Sequence, residues 1–111
     1  MLATALYGPN VGIEVVPSKK GGWRFVLSRD RCFGELTAKK DLGSWFLEAL
    51  TLFGLFETDF IYLDDSEVVY RLKTVQTLIL LFTTRNKPSL ELEAVCTEIK
   101  QVLFIFESKD I

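Results

Sequence analysis

Residues 75–84 read VQTLILLFTT, and this stretch decides how the rest of the chain is arranged. Five bulky apolar residues run without a break from Leu78 to Phe82, so apolar and polar positions do not alternate. A strand with that pattern is covered on both faces, as in the centre of a sheet. We therefore predict a long central strand over 75–84, which ends at the break before Pro88.

Six further strands are expected on either side of this one, on the basis of turn signals and partial alternation. They are residues 2–7, 11–16, 23–28, 31–37, 59–63 and 67–73. In the third of them, Trp23, Phe25 and Leu27 lie on one face of the strand, and Arg24 and Val26 lie on the other.

Two segments show the 3.6-residue period of an amphipathic helix. Asp41 can cap the first helix, which Gly54 is suited to end, and Ser89 can cap the second. The apolar positions of the first are Leu42, Trp45, Phe46, Ala49, Leu50 and Phe53, and those of the second are Leu92, Val95, Cys96, Ile99, Val102, Leu103 and Phe106. The predicted order is ββββα-βββα, an α+β fold in which an antiparallel sheet of about seven strands packs against two helices within one domain, 1–111.

Composition limits what the chain does. With 111 residues it forms one domain, and an apolar fraction of 49% with nine Phe indicates either a large interior or apolar surface kept for a partner. There is no His, which removes the commonest general base, and there is no glycine-rich phosphate loop. We therefore predict a protein that is not an enzyme and has no cofactor.

Cys32 and Cys96 are expected to be reduced thiols in a cytoplasmic protein, since no signal peptide or membrane span is recognisable.

Acidic side chains cluster between Asp59 and Glu67, with Asp64 and Asp65 between them. Such a group is able to bind a divalent cation, which would suit a metal-dependent enzyme. Asp and Ser are also the residues that a tight turn requires. The turn interpretation is preferred, and no metal site is predicted.

Basic residues concentrate in the first part of the chain. Residues 1–40 carry seven basic and three acidic side chains, whereas residues 41–111 carry six basic and twelve acidic ones. Single-stranded nucleic acid binds to cationic grooves that also present aromatic rings. The candidate nucleic-acid-binding residues are Lys19, Lys20, Trp23, Arg24, Arg29, Arg31, Lys39 and Lys40. The alternative is that Trp23, Phe25 and Leu27 belong to the core and the cations only face solvent.

The end of the second helix offers another surface. Leu103, Phe104, Ile105 and Phe106 follow one another, so this turn has no polar side and must be covered all round. Either the sheet of the same chain covers it or a partner does. We favour a partner, either a second copy or another protein.

A resemblance adds to these expectations. Gly22-Trp23-Arg24-Phe25 at the start of a strand, Glu35-Leu36-Thr37 before the first helix and the order of elements resemble the Whirly-type single-stranded-DNA-binding transcriptional regulators. The chain is also similar to uncharacterised cyanobacterial proteins assigned to that fold. The resemblance implies a sheet with packed helices, dimerisation through the helices and single-strand binding.

Two functions remain from different classes. The first is a dimeric, non-catalytic binding protein that holds single-stranded nucleic acid on a basic sheet face. The second is a small structural or assembly module, comparable with profilin-like and longin-like domains, that contacts proteins through its apolar C-terminal helix.

Overall fold

The computed structural model describes residues 12–38, 44–56, 60–86 and 90–108, which form three strands and four helices. In chain order these are β1 (Ile13–Pro17), β2 (Trp23–Leu27), α1 (Arg29–Ala38), α2 (Ser44–Leu52), β3 (Phe60–Leu63), α3 (Asp65–Thr83) and α4 (Leu90–Ser108). The protein is an α+β protein with an antiparallel sheet, as expected. The prediction of about seven strands and two helices is wrong.

The sheet has the order β1-β2-β3, and both pairs of neighbours are antiparallel. β1 and β2 form a hairpin in which Ile13 lies opposite Leu27. A tight turn closes the hairpin: the Ser18 amide donates to the Gly22 carbonyl at 3.0 Å. The Tyr62 hydroxyl of β3 donates to the Lys20 carbonyl, so the turn is fixed to the third strand.

The stretch that was expected to be a central strand lies in α3, as does the predicted strand 67–73. The helix buries one face, whose members recur at a helical spacing: Val68, Leu72, Val75, Leu78, Ile79 and Phe82. Asp64 caps the helix, since its carboxylate accepts from the Glu67 amide at 2.9 Å. The spacing of Asp64 and Glu67 is that of a capping box, and it predicts a helix start when it is read before the apolar run.

The predicted strand 31–37 is also wrong, because these residues lie in α1. Cys32 and Phe33 are adjacent and both buried, whereas neighbouring residues of a strand point to opposite faces. The helix is kinked at Phe33, where the backbone angles are φ −134° and ψ 31°. Of the other strands, β1, β2 and β3 correspond to predicted strands, and residues 2–7 lie outside the described part of the chain.

The two predicted helices correspond to α2 and α4. Gly54 ends α2 as expected: its amide donates to the Thr51 carbonyl, and the Leu55 amide donates to the Leu50 carbonyl at 3.0 Å. The core lies between the inner face of the sheet and the helices, and its ring cluster joins Phe33, Phe46 and Phe82.

Glu98 on α4 has a carboxylate oxygen that is shielded from solvent and accepts no hydrogen bond from the described part of the chain. Burial raises the pKa of this carboxyl above its ordinary value of 4.5. The folded state therefore favours the protonated form of Glu98. The contribution of this carboxyl to the free energy of unfolding is fully present below pH 4.5 and is lost as the pH rises through the folded pKa.

Replacing Glu98 with Gln is therefore expected to raise the free energy of unfolding at neutral pH, by up to about 1 kcal/mol for a partly exposed group. The gain should disappear near pH 4, where the native carboxyl is protonated. Urea denaturation at both pH values measures it, and Glu93→Gln on the exposed side of the same helix is the control. An equal gain at both pH values would contradict this account of Glu98.

Candidate functional site

Helices α2 and α3 pack side by side and run in opposite directions. Near one end, the Trp45 ring lies 5.9 Å from the Phe82 ring. Beyond the other end of α2, the Arg71 guanidinium donates to the Gly54 carbonyl at 3.5 Å. The start of α2 therefore lies beside the end of α3, and the end of α2 lies beside the start of α3.

A group of exposed apolar residues follows this pair of helices, and we call it the α2–α3 seam. It consists of Trp45 (41% exposed), Leu52 (86%), Phe53 (56%), Tyr70 (66%) and Leu81 (53%). Trp45 and Leu52 are seven residues apart on α2, and Tyr70 and Leu81 are eleven apart on α3, so each pair shares one side of its helix. Large apolar side chains exposed in this way mark a surface that favours association.

Two open grooves lie at the ends of the seam, each with a volume of about 320 Å³. Phe53, Tyr70 and the charged residues Glu67 and Arg71 are among the residues that line the first. The second is lined by Trp45, Leu81, Thr84 and Arg85. Each end of the seam thus combines an aromatic side chain with an arginine. These residue types are enriched in the centres of protein interfaces.

The candidate nucleic-acid-binding cations fall into two groups. Lys19 and Lys20 are exposed in the hairpin turn, and Arg29 and Arg31 are exposed at the start of α1. The five residues of β2 separate the groups, a length of roughly 17 Å at about 3.3 Å per residue. Lys39 and Lys40 lie outside the described residues.

The other two candidates on β2 are partly buried. The Trp23 indole N–H donates to the Asp65 carboxylate at 2.6 Å, and its ring packs edge-on against Phe106 at 4.8 Å. Arg24 lies on the opposite face of the strand, where it pairs across the sheet with Val16. Since Phe25 and Leu27 are buried, the alternative that placed this face in the core is confirmed for them.

The apolar C-terminal turn divides between core and surface. Leu103 and Phe106 are buried in the core of their own chain, Ile105 is half-buried, and Phe104 is 73% exposed. The chain itself therefore leaves Phe104 uncovered, and the covering of this residue by a partner stays a prediction. The core positions of Leu103 and Phe106 need no partner, since the chain itself covers them.

Of the acidic group, Asp64, Asp65 and Glu67 lie at the start of α3. The Ser66 hydroxyl donates to the Asp64 carboxylate at 2.7 Å, and with the Glu67 amide it holds the pKa of Asp64 below its ordinary value of 3.8. Within residues 12–38, 44–56, 60–86 and 90–108, no group of three metal-ligating side chains comes together in a way that could hold an ion. Asp59 lies outside the described residues.

The seam was missed by the sequence analysis, which assigned Trp45 and Phe53 to a buried helical stripe and Leu81 to a central strand. A signal was present in α2, where Leu47 and Leu52 add apolar residues outside that stripe. A helix with so wide an apolar surface needs covering on more than one side.

Comparison with protein-family models, curated proteins and solved structures finds no match for the chain. The resemblance to the Whirly-type regulators therefore stays a prediction. Gly22 to Phe25 do lead into a strand, but Glu35 to Thr37 lie within α1. Among the described helices, none is both long enough and apolar enough to cross a membrane.

Proposed function

We propose that the protein is a non-catalytic assembly module that docks another protein surface on the α2–α3 seam. The observation that carries this proposal is the placement of three exposed aromatic rings and two exposed leucines along one pair of packed helices. In this proposal the apolar residues, which make up 49% of the chain, both fill the core and form a contact surface. Neither Cys32 nor Cys96 forms a disulfide, which suits a reducing compartment such as the cytoplasm.

The exposed rings of the seam account for part of the area that a protein interface uses. A full aromatic side chain presents about 150–250 Å², so the exposed parts of Trp45, Phe53 and Tyr70 sum to on the order of 300 Å². Leu52, Leu81 and the grooves at both ends add to it. A standard interface takes roughly 800 Å² from each partner. The seam therefore supplies the apolar centre of such an interface, with polar residues left for its rim.

Phe104 on α4 is an exposed apolar residue outside the seam, and it serves as a control position for substitutions on the seam. Deleting the C-terminal turn would be a poor test, because Leu103 and Phe106 belong to the core. Single substitutions at exposed positions leave the core intact. Leu52 and Phe104 form a matched pair, since both are large, apolar and more than two thirds exposed.

We expect Leu52→Lys to release the chain from the complex that it forms in its own cells, and Phe104→Lys to leave that complex intact. A buried interfacial Lys without a partner costs several kcal/mol, which corresponds to a loss of affinity of more than about a hundredfold. Sedimentation velocity of each tagged chain, isolated under native conditions, measures the mass of its complex against 12.7 kDa for the chain alone. Release by Phe104→Lys alone, or a native chain that sediments as a monomer, would remove the proposal.

A second candidate function rests on the exposure of Lys19, Lys20, Arg29 and Arg31. Single-stranded nucleic acid that follows the hairpin from its turn to the start of α1 meets both pairs of cations. Fluorescence anisotropy with labelled oligonucleotides at low and moderate salt is the test. Phosphate contacts must weaken as salt rises, so an absence of binding, or binding that salt does not change, excludes this function.

A further inference from the structure

We infer that the partner on the α2–α3 seam is a second copy of the chain, docked about a two-fold axis with the two α3 helices antiparallel. The inference rests on the proposed function and names its partner. In a two-fold interface, the same surface is used by both copies, and a residue that contacts a given position of the partner is contacted by the same position in return.

The shape of the seam suits this arrangement. Its two ends differ, with Phe53 and Tyr70 at one and Trp45 and Leu81 at the other. An antiparallel two-fold places each end of one copy against the opposite end of the other. Every groove then faces exposed aromatic and aliphatic side chains of the second copy, and no end of the seam remains in contact with water.

The charges at the two ends are complementary in the same arrangement. Glu67 and Arg71 line the groove at the start of α3, and Arg85 lines the groove beyond its end. The Arg71 guanidinium donates to the Gly54 carbonyl of its own chain, so the relevant charges are Glu67 and Arg85. Neither forms an ion pair with another residue in the part of the chain that the structure describes. With α3 antiparallel to its copy, each Glu67 lies opposite the partner copy's Arg85, which gives two identical attractive pairs. A parallel arrangement places the two Arg85 side chains against each other, which like charges disfavour, and leaves neither of them opposite Glu67.

The area of the seam is compatible with a second copy. In a two-fold interface both copies contribute the same exposed rings. Two copies of the three rings alone bring on the order of 600 Å² of aromatic surface together, against about 1,600 Å² for a complete standard interface.

The test is a charge exchange between two purified variants, Glu67→Arg and Arg85→Glu. Each variant alone places like charges opposite each other at both pairs, so each is expected to dimerise at least about tenfold more weakly than the native chain. An equimolar mixture restores attraction at both pairs, and a mixed dimer should form within about threefold of native affinity. Native mass spectrometry with one variant mass-tagged identifies the mixed dimer, and circular dichroism confirms that both variants are folded.

Lys73→Glu is the control, because Lys73 lies on the side of α3 that faces α4, where it pairs with Glu107 at 3.3 Å. Its dimerisation should equal that of the native chain. A native chain that is dimeric while both variants dimerise equally well would overturn the antiparallel arrangement. A purified native chain that remains monomeric at several hundred micromolar would overturn the second copy as partner, and the proposed function would still stand if Leu52→Lys released a different protein.

Discussion

Replacing Phe46 with Ala is expected to lower the free energy of unfolding by about 3–5 kcal/mol, the cost of removing a buried aromatic ring. Phe46 is fully buried, and its ring lies 5.3 Å from the rings of both Phe33 and Phe82. It joins α1, α2 and α3 in a single ring cluster. The total free energy of unfolding of a domain is roughly 5–15 kcal/mol, so this one substitution removes a large share of it.

Urea denaturation followed by circular dichroism at one fixed protein concentration measures the loss, since self-association makes stability depend on concentration. Phe46→Leu keeps most of the volume and should lose only about 1–2 kcal/mol, which provides a folded variant if the Ala variant does not fold. Phe104→Ala, at an exposed position, should change stability by less than about 0.5 kcal/mol. A loss below 1 kcal/mol for Phe46→Ala would contradict the ring cluster.

Replacing Gly22 with Ala is the second substitution for which we expect a large effect, a loss of about 2–4 kcal/mol. Two costs combine. Gly22 has φ +72°, a conformation that L-residues with a side chain rarely adopt. An added Cβ would also lie 2.9 Å from the Leu63 carbonyl oxygen, so the hairpin would have to move away from β3.

Gly54→Ala separates these two costs. Gly54 has φ +64°, but an added Cβ would meet nothing within 4 Å. Gly54→Ala should therefore lower the free energy of unfolding only by the cost of the backbone strain, about 1 kcal/mol. Thermal or urea unfolding of the two variants gives the difference directly. Equal losses at both positions would show that the contact between the hairpin and β3 contributes nothing.

The proposed self-association predicts a further result for these unfolding measurements. Because a dimer is stabilised by mass action, the unfolding midpoint of the native chain should rise with protein concentration. The midpoint of Leu52→Lys should not, since its seam carries a charge that cannot be buried.

Some of the fold follows from local sequence signals. The strands around Glu14, Phe25 and Tyr62 and the helices around Phe46 and Ile99 were predicted at nearly the observed positions. In β1, β2 and α4 the apolar spacing matches one period and the burial follows that spacing, whereas in α2 Trp45 and Phe53 are exposed although they fit the period. Gly54 was also recognised as the end of a helix because its residue type suits the left-handed conformation that the cap requires.

The error over residues 67–84 has a specific physical cause. Leu80 and Leu81 interrupt the period of the buried face, and they are exposed although they are apolar. With these two counted as core, the run from Leu78 to Phe82 resembles a strand covered on both faces. Exposed leucines beside the buried face therefore conceal the helical period in the sequence.

The same surplus of apolar residues explains why the sequence did not point to the α2–α3 seam. Apolar side chains of the core and of an interface are the same in composition, and only the packing of α2 against α3 separates them. Phe106 meets Trp23 within its own chain, whereas Leu52 meets solvent. Leu52 lies outside the predicted stripe of its helix, but Trp45 and Phe53 lie within it and are exposed, and no local rule identifies those two before the topology is known.

Tyr70 and Tyr62 allow the most direct measurement of the central claim. Both are tyrosines, and they are 66% and 65% exposed, but only Tyr70 lies on the α2–α3 seam. Hydroxyl-radical labelling should modify the two at similar rates in the dilute, monomeric chain. In the assembled protein, labelling of Tyr70 should fall several-fold while that of Tyr62 stays the same; equal labelling of both, or protection of Tyr62 in place of Tyr70, would contradict the account.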